Sequence, residues 1–173
     1  VNLFAQVRKL TSQERWLVFG QAISTVGDYM ALPAFFKIAL ERGTWVTSAF
    51  LVLYFLPRVT QPFLGVIVDT FNARTVVLVS EAARALLFLA LFLFPDDAPT
   101  VAWLALPLLC SLFSCVFEPA RLKIMSAITD DFPTLNAVFY FFCSATAIAS
   151  LGASILVEHA FSPRVVFLAN AAT

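Results

Sequence analysis

Asp28 and Arg58 are ionisable residues placed deep inside long apolar runs, each about a dozen residues from one end of its run. An ionised group in hydrocarbon costs several kcal/mol unless a partner or water relieves it, so such residues mark ion or substrate paths. Gln21, Ser24, Thr25 and Asp28 recur at helical spacing and make one polar stripe. Tyr54, Arg58, Gln61, Gly65 and Asp69 make a second. At about 1.5 Å per residue both charges fall near mid-segment. Two chemistries fit. Asp28 is a proton or cation site in a polar cavity, or Asp28 and Arg58 form an ion pair that only locks two helices. Glu81 and Arg84, three residues apart, can satisfy each other on one helix face. Glu118 has Arg121 one turn later and shares a polar face with Ser111, Ser114 and Cys115. No metal-ligand spacing, nucleophile–His pair or phosphate-binding glycine loop is present in the sequence, which argues against an enzyme and against a metal or other cofactor. His159 is the one histidine and reads as a solvated loop residue. Cys110, Cys115 and Cys143 sit in apolar runs and read as free thiols.

The elements that carry these residues are membrane helices. The chain is 61% hydrophobic and 13% charged, against about 45–50% and about 25% in soluble domains. Zero net charge and the absence of a basic face exclude a nucleic-acid partner. A spanning helix needs about 20 mostly apolar residues. Five stretches qualify, near 16–38, 46–68, 75–94, 101–118 and 135–157, and a sixth starts near 165 and is cut off at 173. Turn and charge signals separate them: Glu41-Arg42-Gly43, Asn72-Ala73-Arg74, Pro95 to Pro99, Asp130 to Pro133, and Ser162-Pro163. Short connections predict that successive helices are antiparallel neighbours, and the longer loop 121–134 has room for a short helix near 122–128. With a cytoplasmic N-terminus, Arg8, Lys9, Arg15, Arg74, Arg121 and Lys123 lie inside and Lys37, Arg42 and Arg164 outside, the expected inside bias. Trp16, Trp45 and Trp103 fall at segment ends, where indoles favour the interface. Ala145, Ala149, Gly152, Ala153 and Ser154 form a small-residue face suited to close helix packing.

These segments resemble the N-terminal half of a major facilitator superfamily transporter, in the bacterial branch of siderophore, macrolide and multidrug exporters. The likeness runs through nearly the whole chain: Gln21 to Asp28 in the first helix, Leu56-Pro57 and Gly65 to Asp69 in the second, Ser80-Glu81-Ala82-Ala83-Arg84 in the third, Phe117 to Arg121 and Leu135-Asn136-Ala137 around the fourth and fifth, and Phe167 to Ala171 in the sixth. The family's loop pattern Gly-x-x-x-Asp-Arg-x-Gly-Arg-Arg/Lys keeps Gly65, Asp69 and Arg74 as a gating motif. Thr70, Asn72 and Ala73 depart from it, which implies a weaker closed-state latch, with Asn72 replacing glycine as a residue tolerant of the left-handed conformation. The fifth helix lacks the Gly-Pro-rich motif that exporters often carry there.

The resemblance implies an all-α integral membrane protein: one six-helix half of a twelve-helix fold, built as a 3+3 inverted repeat, with its sixth helix truncated and the C-terminal half outside the chain. It implies alternating-access transport, a proton-coupled efflux of a small, partly apolar compound across the bacterial cytoplasmic membrane. Asp28, Arg58, Gln21, Ser24, Tyr54 and Gln61 would line the cavity, and Glu81, Arg84 and Glu118 would be secondary charges. The partners are membrane lipids, the substrate, protons or another cation, and the missing half. Lysophospholipid transport and a non-transporting membrane scaffold are the alternatives.

Overall fold

The computed structural model describes residues 3–95, 98–160 and 163–172. The described chain is helical throughout: α1 (Leu3–Lys9), α2 (Ser12–Glu41), α3 (Thr44–Thr70), α4 (Ala73–Leu93), α5 (Thr100–Ile128), α6 (Phe132–Ala160) and α7 (Pro163–Ala172). Thr11 and Glu14 start α2 as a reciprocal capping box: the Glu14 N–H donates to the Thr11 hydroxyl at 3.3 Å and the Thr11 N–H to the Glu14 carboxylate at 2.6 Å. Gly43 ends the α2–α3 turn at φ 115°, where a Cβ would be strained. Asn72 caps α4 by accepting from the Arg74 N–H at 3.0 Å. Its φ of −69° is ordinary extended backbone, so the left-handed role expected of it is wrong and capping explains the residue instead. The turn residues 96, 97 and 162 and the side chain of His159 lie outside the described residues. The backbone of His159 belongs to α6, not to a loop.

Helices α3, α4, α5 and the Phe132–Val157 part of α6 are long and apolar enough to cross a membrane. α2 has the length, 30 residues, but its polar stripe and terminal charges lower its hydropathy. The expected loop at 121–134 is not formed. α5 runs unbroken through Pro119 to Ile128, leaving a short connection before α6. Proline removes one backbone hydrogen bond, and burial of Ala120, Arg121 and Met125 beyond it offsets the loss.

Successive helices are not the chief neighbours. α2 packs mainly on α6, α3 on α5, α4 on α5 and α7, and α2 also on α7. Exchanging α2–α4 with α5–α7 maps α2–α6 onto α3–α5, α4–α5 onto α2–α7, and α4–α7 onto itself. Two three-helix repeats therefore pack as equivalents, and an odd helix number makes them enter from opposite sides.

Two apolar cores close the bundle at its ends. One gathers Phe35, Phe50, Phe88, Trp103 and Phe167, with Phe35 and Phe167 ring centroids 4.8 Å apart. The other gathers Val18, Met125, Leu135, Val138 and Phe139. Trp103 departs from its expected interfacial place. It is buried in the first core beneath the Arg42 guanidinium, 5.0 Å away, whereas Trp16 and Trp45 are exposed. The small-residue face of α6 also departs from expectation: Ala145, Ala149 and Gly152 are exposed, and a Cβ on Gly152 would meet nothing within 4 Å. Ser154, of the same face, is buried, as are Ala147 and Ser150 elsewhere on α6.

Candidate functional site

Between the two cores lies a cavity of about 400 Å³. α2 contributes Gln21, Thr25 and Asp28, α3 contributes Tyr54, Phe55 and Arg58, and α4 contributes Arg84. α5 adds Cys110, Ser111, Ser114, Glu118 and Arg121, and α6 adds Phe139, Tyr140 and Cys143. The helical periodicity of the two polar stripes brings Asp28, Gln21, Tyr54 and Arg58 into one space. Ser24 is buried beside a separate hollow between α2, α4 and α7, and Gln61 does not line the cavity.

The Asp28–Arg58 pair does not form. Asp28 Oδ1 accepts from Arg84 Nη2 in α4 and from Asn170 Nδ2 in α7 at 3.3 Å. Arg84 Nη1 lies 3.4 Å from Glu81 Oε1. The expectation that Glu81 and Arg84 merely satisfy each other is therefore half right: the two do meet, and Arg84 also reaches another helix. The cause is topological. α3 faces α5, which carries Arg58 away from α2, while α4 and α7 bring Arg84 and Asn170 to Asp28. Arg84 is 5% exposed and Asp28 29%. Removing one partner from a buried pair costs about 3–5 kcal/mol because the remaining charge is stranded. The cluster thus ties α2, α4 and α7 together through a single carboxylate.

Arg58 lies over the rings of Tyr54 and Phe55, 5.5 and 5.1 Å from their centroids. Arg121, expected in a loop, is buried on α5. Its Nη2 lies 2.6 Å from Glu118 Oε2, and its guanidinium is 4.1 Å from the Phe139 ring centroid, a geometry that favours a desolvated cation. Phe139 and Tyr140 were missed because their position on α6 is aligned with Arg121 only by the tertiary packing.

The Gly65–Arg74 segment lies away from this cavity. Lys123 Nζ of α5 is 3.4 Å from Asp69 Oδ1 and 3.5 Å from the Val68 carbonyl. Asp69 thus takes a basic partner from α5 where the loop itself has lost two. Arg74 lines a surface hollow with Phe71, Lys123 and Ile124. A Cβ at Gly65 would meet nothing within 4 Å, so no described helix needs the glycine for close approach.

Comparison with known proteins agrees with this architecture. The family model described as Major Facilitator Superfamily matches residues 17–173. The protein named "Putative bacilysin exporter BacE" of Bacillus subtilis (strain 168) is 34% identical over 134 residues, covering 77% of this chain and 34% of the relative. The protein of that name from Bacillus amyloliquefaciens matches with the same identity and coverage. The chain spans about a third of the length of these relatives. No solved structure matches it. The chain is an integral membrane protein segment of a transporter family, not an enzyme family: it belongs to the major facilitator superfamily.

Proposed function

We propose that the chain is the N-terminal half of an exporter that moves a small, partly apolar compound out of a bacterial cell by alternating access, with proton movement through Asp28. The carrying observation is the position of that carboxylate: inside the cavity, facing partners from α4 and α7. Ionised, it holds Arg84 and joins three helices. Protonated, it loses its ionic attraction for Arg84, which retains Glu81 as a partner, so proton binding loosens α2 from α4 and α7. Neutralising a carboxylate also lowers the cost of moving it through an apolar environment. The site is completed by a C-terminal half that closes over the open cavity. The Lys and Arg distribution supports a cytoplasmic N-terminus in the cytoplasmic membrane.

The test uses the full-length protein in everted membrane vesicles, with bacilysin as probe because the relatives' name supplies it. Asp28→Asn should abolish most of the uptake driven by a pH gradient, because the residue that would carry the proton is gone. Substrate exchange without a gradient should persist. Equal gradient-driven rates for wild type and variant would refute proton movement through Asp28. Lipid flipping that needs no gradient would favour lysophospholipid transport.

A further inference from the structure

The charges in the cavity are sorted by position along α5. Asp28 and Arg84 meet at a first level of the lining, and the register of α3 on α5, set where the Ser111 hydroxyl donates to the Tyr54 carbonyl, places Arg58 at a second, beside Cys115 and one turn from Glu118. At the first level Arg84 pairs with Asp28, and Glu81, which lies outside the cavity lining, also meets Arg84. The second level, from Cys115 to Arg121, holds two guanidinia and one carboxylate, Glu118.

Two features of the second level point to a ligand. Arg58 is an intramembrane cation exposed to the cavity, with no carboxylate within 4 Å among the described residues. Its contacts are the Tyr54 and Phe55 rings. Arg121 is 5% exposed, and its Nε has no hydrogen-bond partner among the described residues. Its Nη2 is paired with Glu118 Oε2 at 2.6 Å. A buried guanidinium N–H left unmatched favours an acceptor oxygen, and a planar fork suits a carboxylate. The Tyr54 and Phe55 rings at Arg58 and the Phe139 and Tyr140 rings at Arg121 give the cavity an aromatic wall. A cavity near 400 Å³ falls within the range of about 300–1,000 Å³ for small-molecule sites.

We infer that the transported compound is a small amphipathic carboxylate, its anionic group held at Arg58 and its apolar body against the aromatic wall. This rests on the reading of the cavity as the transport path. It leaves Asp28 free to carry the proton while substrate sits one level away.

Binding to the purified full-length protein, measured by calorimetry without any gradient, tests the assignment separately from proton coupling. The probes are N-benzoylphenylalanine, its neutral carboxamide and a lysophosphatidylglycerol. The carboxylate should bind about tenfold or more tightly than the carboxamide, the scale of one lost charge-assisted contact. Arg58→Gln should abolish that preference, Arg58→Lys should keep part of it, and Lys37→Gln, an exposed cation outside the cavity, should keep all of it. Thermal unfolding confirms that each variant is folded. Equal binding of carboxylate and carboxamide, binding of neither, or a preference that survives Arg58→Gln would overturn the inference. Tighter, Arg58-dependent binding of the lysophospholipid would overturn it in favour of a lipid phosphate. Loss of gradient-driven transport in Asp28→Asn with carboxylate binding intact would support both readings. Carboxylate selectivity without any pH-driven transport would remove the coupling alone.

Discussion

Asp28 illustrates what residue type and spacing reveal and what they withhold. An aspartate in a polar stripe inside an apolar run is legible as a cavity residue, because the cost of burial and the 3.6-residue period are local properties. Its partner is not legible, because Arg58 and Arg84 are equally good cations and only packing chooses between them. Arg121 was misread for a related reason: Pro119 resembles a helix end, and burial carries the helix past it. Local chemistry is more predictable at Glu14. Burial raises its carboxyl pKa, but hydrogen bonds involving Thr129 and Thr11 outweigh this and hold it below the ordinary 4.5. A depressed carboxyl contributes stability that is complete above the unfolded pKa and is lost as pH falls through the folded one. Glu14→Gln should therefore destabilise the protein by about 0.3–1.5 kcal/mol at neutral pH, and the difference should shrink below about pH 4.5. Thermal midpoints of both proteins across about pH 3–8 check this. A gap that widens in acid would contradict the sign.

The long helices were readable from apolar run length, though the short, charged α1 (Leu3–Lys9) was not, and most boundaries followed from caps and turns such as Gly43 and Asn72. Helix neighbours were not readable, because short loops constrain direction but not which faces meet. α3 and α5 show the consequence. They run in one direction in near-constant register, from the Ser111 hydroxyl donating to the Tyr54 carbonyl at 2.6 Å to the Lys123 contacts with Val68 and Asp69 at the other end. This register sets Arg58 beside Cys115 and away from Asp28. Interhelical side-chain hydrogen bonds in membranes average about 0.6 kcal/mol and reach about 1.7. Ser111→Ala should lower stability by no more than that, since the apolar contact of α3 with α5 remains. The exposed Lys123–Asp69 pair should contribute still less, about 0–1 kcal/mol. Unfolding of either Ser111→Ala or Lys123→Gln in detergent would show that the register depends on one bond.

For the whole molecule, the exchange symmetry of the helix contacts explains why one polar cluster can join α2, α4 and α7 around a central space. The same packing leaves Gly65 on α3, and Ala145, Ala149 and Gly152 on α6, without close neighbours among the described residues. Inside a helix, Gly→Ala relieves about 0.5–1 kcal/mol of backbone entropy when nothing clashes. Gly65→Ala should thus preserve or raise thermal stability while slowing full-length transport, if the second half slides across that face. A fall in stability would instead reveal a static neighbour. The pairing of Asp28 with Arg84 is the claim on which the coupling account depends. Gradient-driven efflux in two double-mutant cycles measures it most directly, one with Asp28→Asn and Arg84→Gln, the other with Asp28→Asn and Arg58→Gln. The account predicts strong non-additivity in the first cycle, about 0.5–3 kcal/mol as expected for contacting residues, and near-additivity in the second. Additivity of Asp28 with Arg84 and coupling of Asp28 with Arg58 would contradict it.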